Sequence, residues 1–342
     1  MSPGMAKSWR KRALTLVAVL VLALVAAAYA GRWYVNERPL PMRDDKAEFR
    51  VKPGASARGV VSAVREAGVD VNELAFETLS RTTGVAQSLR AGRYTIERGT
   101  TLAQLIAKLR AGDVTLERLT IVEGITFREM RALLAATSEL RQDSRDLTAA
   151  QLLQAIGASE THPEGLFAPD TYLYDPGSSD LEIWRRAYRA QMNALQEAWN
   201  SRAPGLPYAS PYEALIMASI VEKETGQPSE RGLIAGVFVN RLKRGMLLQT
   251  DPTVIYGLGE RFDGNLRKRD LIADTPYNSY TRSGLPPTPI ALPGRAAIGA
   301  ALNPDRTDAL YFVARGDGTS QFSTTLEAHN RAVDKYQRGG AR

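Results

Sequence analysis

Residues Ala13 to Gly31 form 19 consecutive positions without a charged side chain, and such a run has few ways to fold. A helix of about 20 apolar residues crosses the hydrocarbon layer of a bilayer, since its backbone polar groups are satisfied internally. Lys7, Arg10, Lys11 and Arg12 precede the run and Arg32 follows it. That cationic excess predicts a cytoplasmic tail at 1–12, a transmembrane anchor at 13–31 and an external chain after Arg32. Trp33 and Tyr34 would then meet the outer interface. A cleaved signal peptide competes with this reading, because Ala28-Tyr29-Ala30 has the pattern of a cleavage site. The run is longer than the usual signal core of about 7–15 residues, which favours a retained anchor. In both readings the working part is exported.

The 342 residues suffice for two domains, and 44% hydrophobic with 24% charged residues is the composition of a globular chain. There is no cysteine, so disulfides and thiolate catalysis are excluded. Two histidines, His162 and His329, are too sparse a set for a zinc site, and no metal or cofactor is expected. Part of the net charge of +7 flanks the apolar run, so it does not point to nucleic acid.

Residues 32–46, with Pro39, Pro41 and Asp44-Asp45, read as a polar linker. Beyond them a pattern repeats. Phe49-Arg50-Val51 with Gly54, Ser56, Val60 and Val64 matches Tyr94-Thr95-Ile96 with Gly99, Thr101, Leu105 and Leu109 at constant offset. A third copy starts at Leu119-Thr120-Ile121, with Gly124, Thr126, Met130 and Leu134. Each copy reads as a strand, a glycine turn, a Ser or Thr cap and an amphipathic helix. The first two, over 47–112, suggest a small β-α-α-β module of the LysM type, a fold used for glycan binding; a packing unit without a ligand is the alternative. Residues 180–200 and 233–242 have helical spacing, 276–294 is loop, and Leu310–Val313 with Gln321–Ser323 predicts a closing hairpin around Gly316-Asp317-Gly318. The fold class is α+β, with a mostly helical second domain over 113–338 that has a small β component.

The chemistry concentrates in the helix that Ser210 and Pro211 begin. Ser210 with Glu213 forms a capping-box pattern, an apolar body runs through Val221, and Gly226 offers a left-handed stop. Glu222 and Glu224 therefore fall in the last turn, where the helix dipole disfavours carboxylates. A carboxyl kept protonated near neutral pH is what a general acid requires. Two residues apart, the pair points about 200° apart around the helix and cannot share one cleft. The spacing alone does not say which of them acts.

In Leu248-Gln249-Thr250-Asp251-Pro252, Asp251 reads as an N-cap with Pro252 as the first helical residue. Gln249 and Thr250 are candidates for hydrogen bonding a sugar. Tyr277 and Asn278, in Pro276–Tyr280, pair a ring with an amide, as a glycan groove would; an ordered connecting loop would have the same composition.

The run Met217–Thr225, with Val239-Asn240-Arg241-Leu242, Leu248–Gly257, Tyr277-Asn278, Gly284-Leu285-Pro286-Pro287 and Ala328-His329-Asn330, resembles the endolytic murein transglycosylase (YceG-like) family. Pro163–Tyr172 is similar to that family's EG-x-x-x-PDTY segment, and 47–112 to its LysM-like subdomain. The resemblance implies cleavage of the β-1,4 bond between N-acetylmuramic acid and N-acetylglucosamine within nascent peptidoglycan strands. It further implies 1,6-anhydromuramoyl ends, termination of glycan elongation and no cofactor. By the same resemblance the second glutamate of E-K-E, Glu224, is the catalytic acid; Gln249, Tyr277 and Asn278, chosen for their chemistry, are the expected substrate contacts. The enzyme would stand in the inner membrane with its catalytic part in the periplasm, beside peptidoglycan synthases. One departure is visible: Ser320 stands where the family commonly has His. A two-carboxylate muramidase using Asp251 and a glycan-binding scaffold for synthases remain alternatives.

Overall fold

A computed structural model of the chain describes residues 3–52, 54–85, 89–224 and 227–339. Helix α1, Pro3–Asn36, contains one stretch, Leu14–Asn36, long and apolar enough to cross a membrane. Its Leu16, Leu20 and Leu24 are exposed, so the helix has no protein core of its own. It runs further than the charge-free segment, through the first part of the expected linker. The rest of that linker is also held: Leu40 N–H donates to Thr100 O, and Asp70 N–H to Pro41 O. Residues 40–43 thus belong to the first folded unit.

That unit ends at Glu117. Its elements are β1, Lys46–Val51; α2, Ala57–Glu66; α3, Glu73–Thr82; β2, Gly92–Glu97; and α4, Leu102–Ala111. β1 and β2 pair antiparallel from Lys46 opposite Glu97 to Val51 opposite Gly92. The repeat explains the layout, because Ser56 and Thr101, at matching positions, cap α2 and α4. The inward faces, Phe49, Val60, Val64, Tyr94, Leu105 and Leu109, close one core.

The second unit runs from Arg118. Strand β3, Glu117–Thr120, leads to α5, Phe127–Ala136, where Thr126 and Glu129 form the expected capping box. There follow α6, Ala149–Ile156; β4, Thr171–Tyr174; α7, Asp180–Asn200; α8, Pro211–Glu224; α9, Arg231–Lys243; and α10, Asp251–Leu258. The chain continues through α11, Lys268–Ile272; α12, Arg295–Leu302; β5, Tyr311–Ala314; β6, Ser320–Ser323; and α13, Leu326–Val333. β3 pairs with β4, and β5 with β6 as the antiparallel hairpin read from the sequence. The fold is helix-rich with small two-stranded sheets.

Helix α8 is the centre of this unit. All eight residues from Ala214 to Val221 are buried, with α7, α9, α10 and α12 packed around them. A helix apolar on every side can only be an interior one. Even its Ser219 is used inside the protein: the hydroxyl donates to Ile216 O and accepts from Ile290 N–H.

Candidate active site

Helix α8 starts much as its sequence indicates. Ser210 Oγ accepts from Glu213 N–H at 3.3 Å, but the Glu213 carboxylate reaches Ala209 N–H at 2.6 Å, one residue before the expected partner. The helix ends at Glu224; the expected stop at Gly226 lies outside the described residues. As the spacing requires, the two acidic side chains diverge. Glu222 turns to the start of α12, where Gly294 N–H donates to its Oε2 at 2.8 Å. Glu224 turns to the start of α10, where the Thr250 hydroxyl donates to its Oε1.

Glu224 opens onto a cleft of about 650 Å³ shared with Gln249, Asp251, Tyr280, Tyr311 and Ser320. Burial raises its pKa above the ordinary carboxyl value, against the Thr250 hydrogen bond, and the Asp251 charge adds to the rise. Glu222 is also raised, first by burial, while the Gly294 N–H opposes this. Both acids are therefore biased toward the protonated form, but of the two only Glu224 lines this cleft.

The segment facing Glu224 is held through its backbone by the Arg241 guanidinium and the Ser279 hydroxyl. Arg241 of α9, only 7% exposed, donates Nε–H to Leu310 O at 2.7 Å and Nη1–H to Leu247 O and Leu248 O at 3.0 and 2.8 Å. Its guanidinium lies over the Tyr311 ring at 5.1 Å, and burial lowers its pKa. Gln249 follows with φ of 51°, a left-handed conformation that costs a residue with a Cβ about 1 kcal/mol. Gln249 is exposed and lines the cleft, and its Oε1 accepts from Arg241 Nη1–H at 3.4 Å. Thr250, 2% exposed, then donates its N–H to Ser279 Oγ at 3.0 Å, and Ser279 Oγ is 2.8 Å from Thr253 Oγ1.

The expectation that Asp251 caps α10 is corrected here. Thr250 is the N-cap residue, without a side-chain capping bond, and Asp251 is the first helical residue. Its Oδ1 instead accepts from the Tyr280 hydroxyl at 2.5 Å. Thr250, read as a sugar contact, is buried and points to Glu224.

The structure separates the four residues expected at the substrate. Glu224 and Gln249 share the cleft; Tyr277 and Asn278 lie outside its lining. Asn278 is 1% exposed and spends its amide N–H groups on the carbonyls of Asp270, Leu271 and Ala273 at 3.2, 3.0 and 2.7 Å. Its Oδ1 accepts from Tyr280 N–H at 2.9 Å. Tyr277 packs edge-on against Tyr256 at 4.9 Å and shares a hydrogen bond with Thr288 at 2.8 Å. Both residues shape the loop that delivers Ser279 and Tyr280. Tyr280 and Arg241, quoted above only as parts of longer motifs, do face the cleft. The signal for Arg241 was available: an arginine at an apolar helical position, between Phe238 and Leu242, must find its partners inside.

Ser320 lines the same cleft, and its N–H donates to Glu230 Oε1 at 2.8 Å. His329 stacks on Tyr311 at 5.2 Å, with its pKa lowered by burial. Among the described residues no cluster of His, Asp and Glu could hold a metal ion.

Known proteins resemble this chain over most of its length. The chain is 33% identical to the endolytic murein transglycosylase of Bacillus subtilis (strain 168), over 84% of each chain. It is 27% identical to the Streptococcus pneumoniae (serotype 2, strain D39) protein of the same name, covering 95% of this chain and 65% of that one. A crystal structure of a YceG-like protein from Listeria monocytogenes superposes with a TM-score of 0.54 at 29% identity, covering 84% of this chain and 98% of the other. The YceG-like family profile matches residues 49–335, from β1 to beyond α13. A match of that extent, with Glu224 and the segments that face it inside, makes the chain a member of the YceG-like family.

Proposed function

We propose that the protein is an endolytic lytic transglycosylase of peptidoglycan. It cuts the β-1,4 bond between N-acetylmuramic acid and N-acetylglucosamine within nascent strands and leaves 1,6-anhydromuramoyl ends. The relatives named murein transglycosylases support the reaction class. The observation that carries the residue assignment is a desolvated carboxyl, Glu224, lining an open cleft.

The chemistry needs no more than that carboxyl. In the first step protonated Glu224 gives its proton to the glycosidic oxygen as the bond from the anomeric carbon to that oxygen breaks. N-acetylglucosamine leaves as the alcohol, and an oxocarbenium-like sugar remains. In the second step the C6 hydroxyl of the same muramoyl sugar attacks the anomeric carbon, and the Glu224 carboxylate takes its proton. A bond forms for the one broken, no water is consumed and Glu224 ends protonated. Burial keeps the acid available for the first step. Gln249 offers its amide to a sugar hydroxyl or acetamido group.

In this reading α1 anchors the enzyme in the inner membrane, with both folded units in the periplasm. The β-α-α-β unit is a LysM-like contact for glycan, and the enzyme works beside synthases as a terminase of elongation. Mass analysis of digested glycan strands tests the reaction. Anhydro ends are expected; reducing ends would mean a hydrolase using Asp251, and intact strands a scaffold. Glu224→Gln is expected to lower turnover by at least about a thousandfold, with Glu222→Gln retaining activity. The reverse pattern would overturn the assignment.

A further inference from the structure

The two oxygens of Glu224 are not equivalent. Oε1 accepts from Thr250, whereas Oε2 has no protein partner among the described residues and is not buried without one. The donor is itself fixed. Thr250 N–H donates to Ser279 Oγ at 3.0 Å, Thr253 Oγ1 donates to Thr250 O at 2.8 Å, and Gln249 N–H donates to Ser279 O at 3.0 Å. Three bonds hold the backbone at 249–250, and the buried Thr250 hydroxyl spends its one bond on Glu224 Oε1 rather than on capping α10.

We infer that Thr250 is the positioning residue of Glu224: its hydroxyl holds Oε1, so the transferred proton resides on Oε2, toward the substrate. This rests on the proposed role of Glu224 and deepens it. Between the two steps the carboxyl is ionised, and a hydrogen bond to a charged acceptor is stronger than one to a neutral acceptor. The Thr250 hydroxyl therefore stabilises the state in which Glu224 must act as base. It also blocks rotation of the side chain, which would carry the proton away from the glycosidic oxygen.

Other charged or titratable groups face this cleft. They are Asp251 on α10, Tyr280 on the loop before α12, Arg241 on α9, Tyr311 on β5 and His329 on α13. Asp251 raises the Glu224 pKa and the Thr250 bond lowers it. Removing the hydroxyl therefore moves the Glu224 titration to higher pH. The protonated acid is the form active in the first step, so the alkaline limb of the rate profile moves up with it.

The test uses the full chain in detergent micelles, with uncrosslinked glycan strands, and measures kcat and KM across pH. Thr250→Val is expected to lower kcat about tenfold or more, to change KM less than about twofold, and to move the alkaline limb of kcat to higher pH. Thr250→Ser keeps the hydroxyl and is expected to restore both. If the valine variant does not fold, Ser279→Ala, which frees the Thr250 backbone, is expected to move kcat and the limb in the same direction. Unchanged kcat and limb in Thr250→Val would overturn the inference, as would a serine variant as impaired as the valine one. Such a result in an enzyme that Glu224→Gln inactivates refutes the role of Thr250 alone. Full activity of Glu224→Gln refutes the proposed function itself.

Discussion

Glu164 is a carboxyl that the proposed reaction does not use, and it makes the stability of the fold depend on pH. It is 3% exposed, with Phe127 N–H donating to Oε1 at 2.8 Å and the Tyr256 hydroxyl to Oε2 at 3.1 Å. These bonds and one from the Gly165 backbone favour the ionised form, but burial outweighs them and pushes the pKa from 4.5 up to about 7. The native state thus holds a proton that the unfolded chain has released, and stability falls as pH rises through that interval. Integrating between pH 5 and pH 8 gives a loss of about 2.5 kcal/mol from this group alone. Glu164→Gln removes the titration while keeping the size of the side chain. At pH 5 both side chains are neutral, each can accept Phe127 N–H with its carbonyl oxygen and donate to the Tyr256 hydroxyl, and the two proteins are expected to be similar in stability. At pH 8 the difference shifts toward the variant by about 2.5 kcal/mol. Urea denaturation of both proteins at the two pH values measures this shift, with other titrating groups cancelling in the comparison. A wild-type-minus-variant difference constant to within about 0.5 kcal/mol would refute the claim that burial governs Glu164.

Two further substitutions test the geometry around the cleft. A Cβ on Gly236 of α9 would stand 2.7 Å from the Asp305 carbonyl oxygen and 2.8 Å from Thr307 Cγ2. Gly236→Ala is therefore expected to destabilise by about 1–3 kcal/mol; a melting temperature equal to wild type would count against this packing. Gln249→Gly relieves the left-handed strain and is expected to gain about 0.5–1 kcal/mol in thermal unfolding while raising KM for glycan. Unchanged KM would remove Gln249 from the substrate contacts.

The legible parts of this fold are those in which neighbouring residues act on one another. The repeated strand, turn, cap and helix from Phe49 to Leu134 announced itself because Ser56, Thr101 and Thr126 cap their helices within three residues. The divergence of Glu222 and Glu224 follows from helical geometry, and they do bond to α12 and α10 respectively. The loop residues were less legible. A ring and an amide have the same composition in a sugar groove as in a braced turn, and Tyr277 and Asn278 brace the turn. The start of α10 moved by one residue, because the Asp251 carboxylate found the Tyr280 hydroxyl, 29 positions away.

The sequence by itself determined a membrane-length apolar run, a repeated first unit and an interior helix with two acids turned apart. Each depends on periodicity and on contacts within a few residues. Only the tertiary structure decided which acid meets a cleft and what holds it there. Thr250, Ser279 and Arg241 reach the site from α10, a distant loop and α9. Their bonds span chain separations that no local pattern encodes, and burial, which raises the Glu224 pKa, exists only once α8 is enclosed.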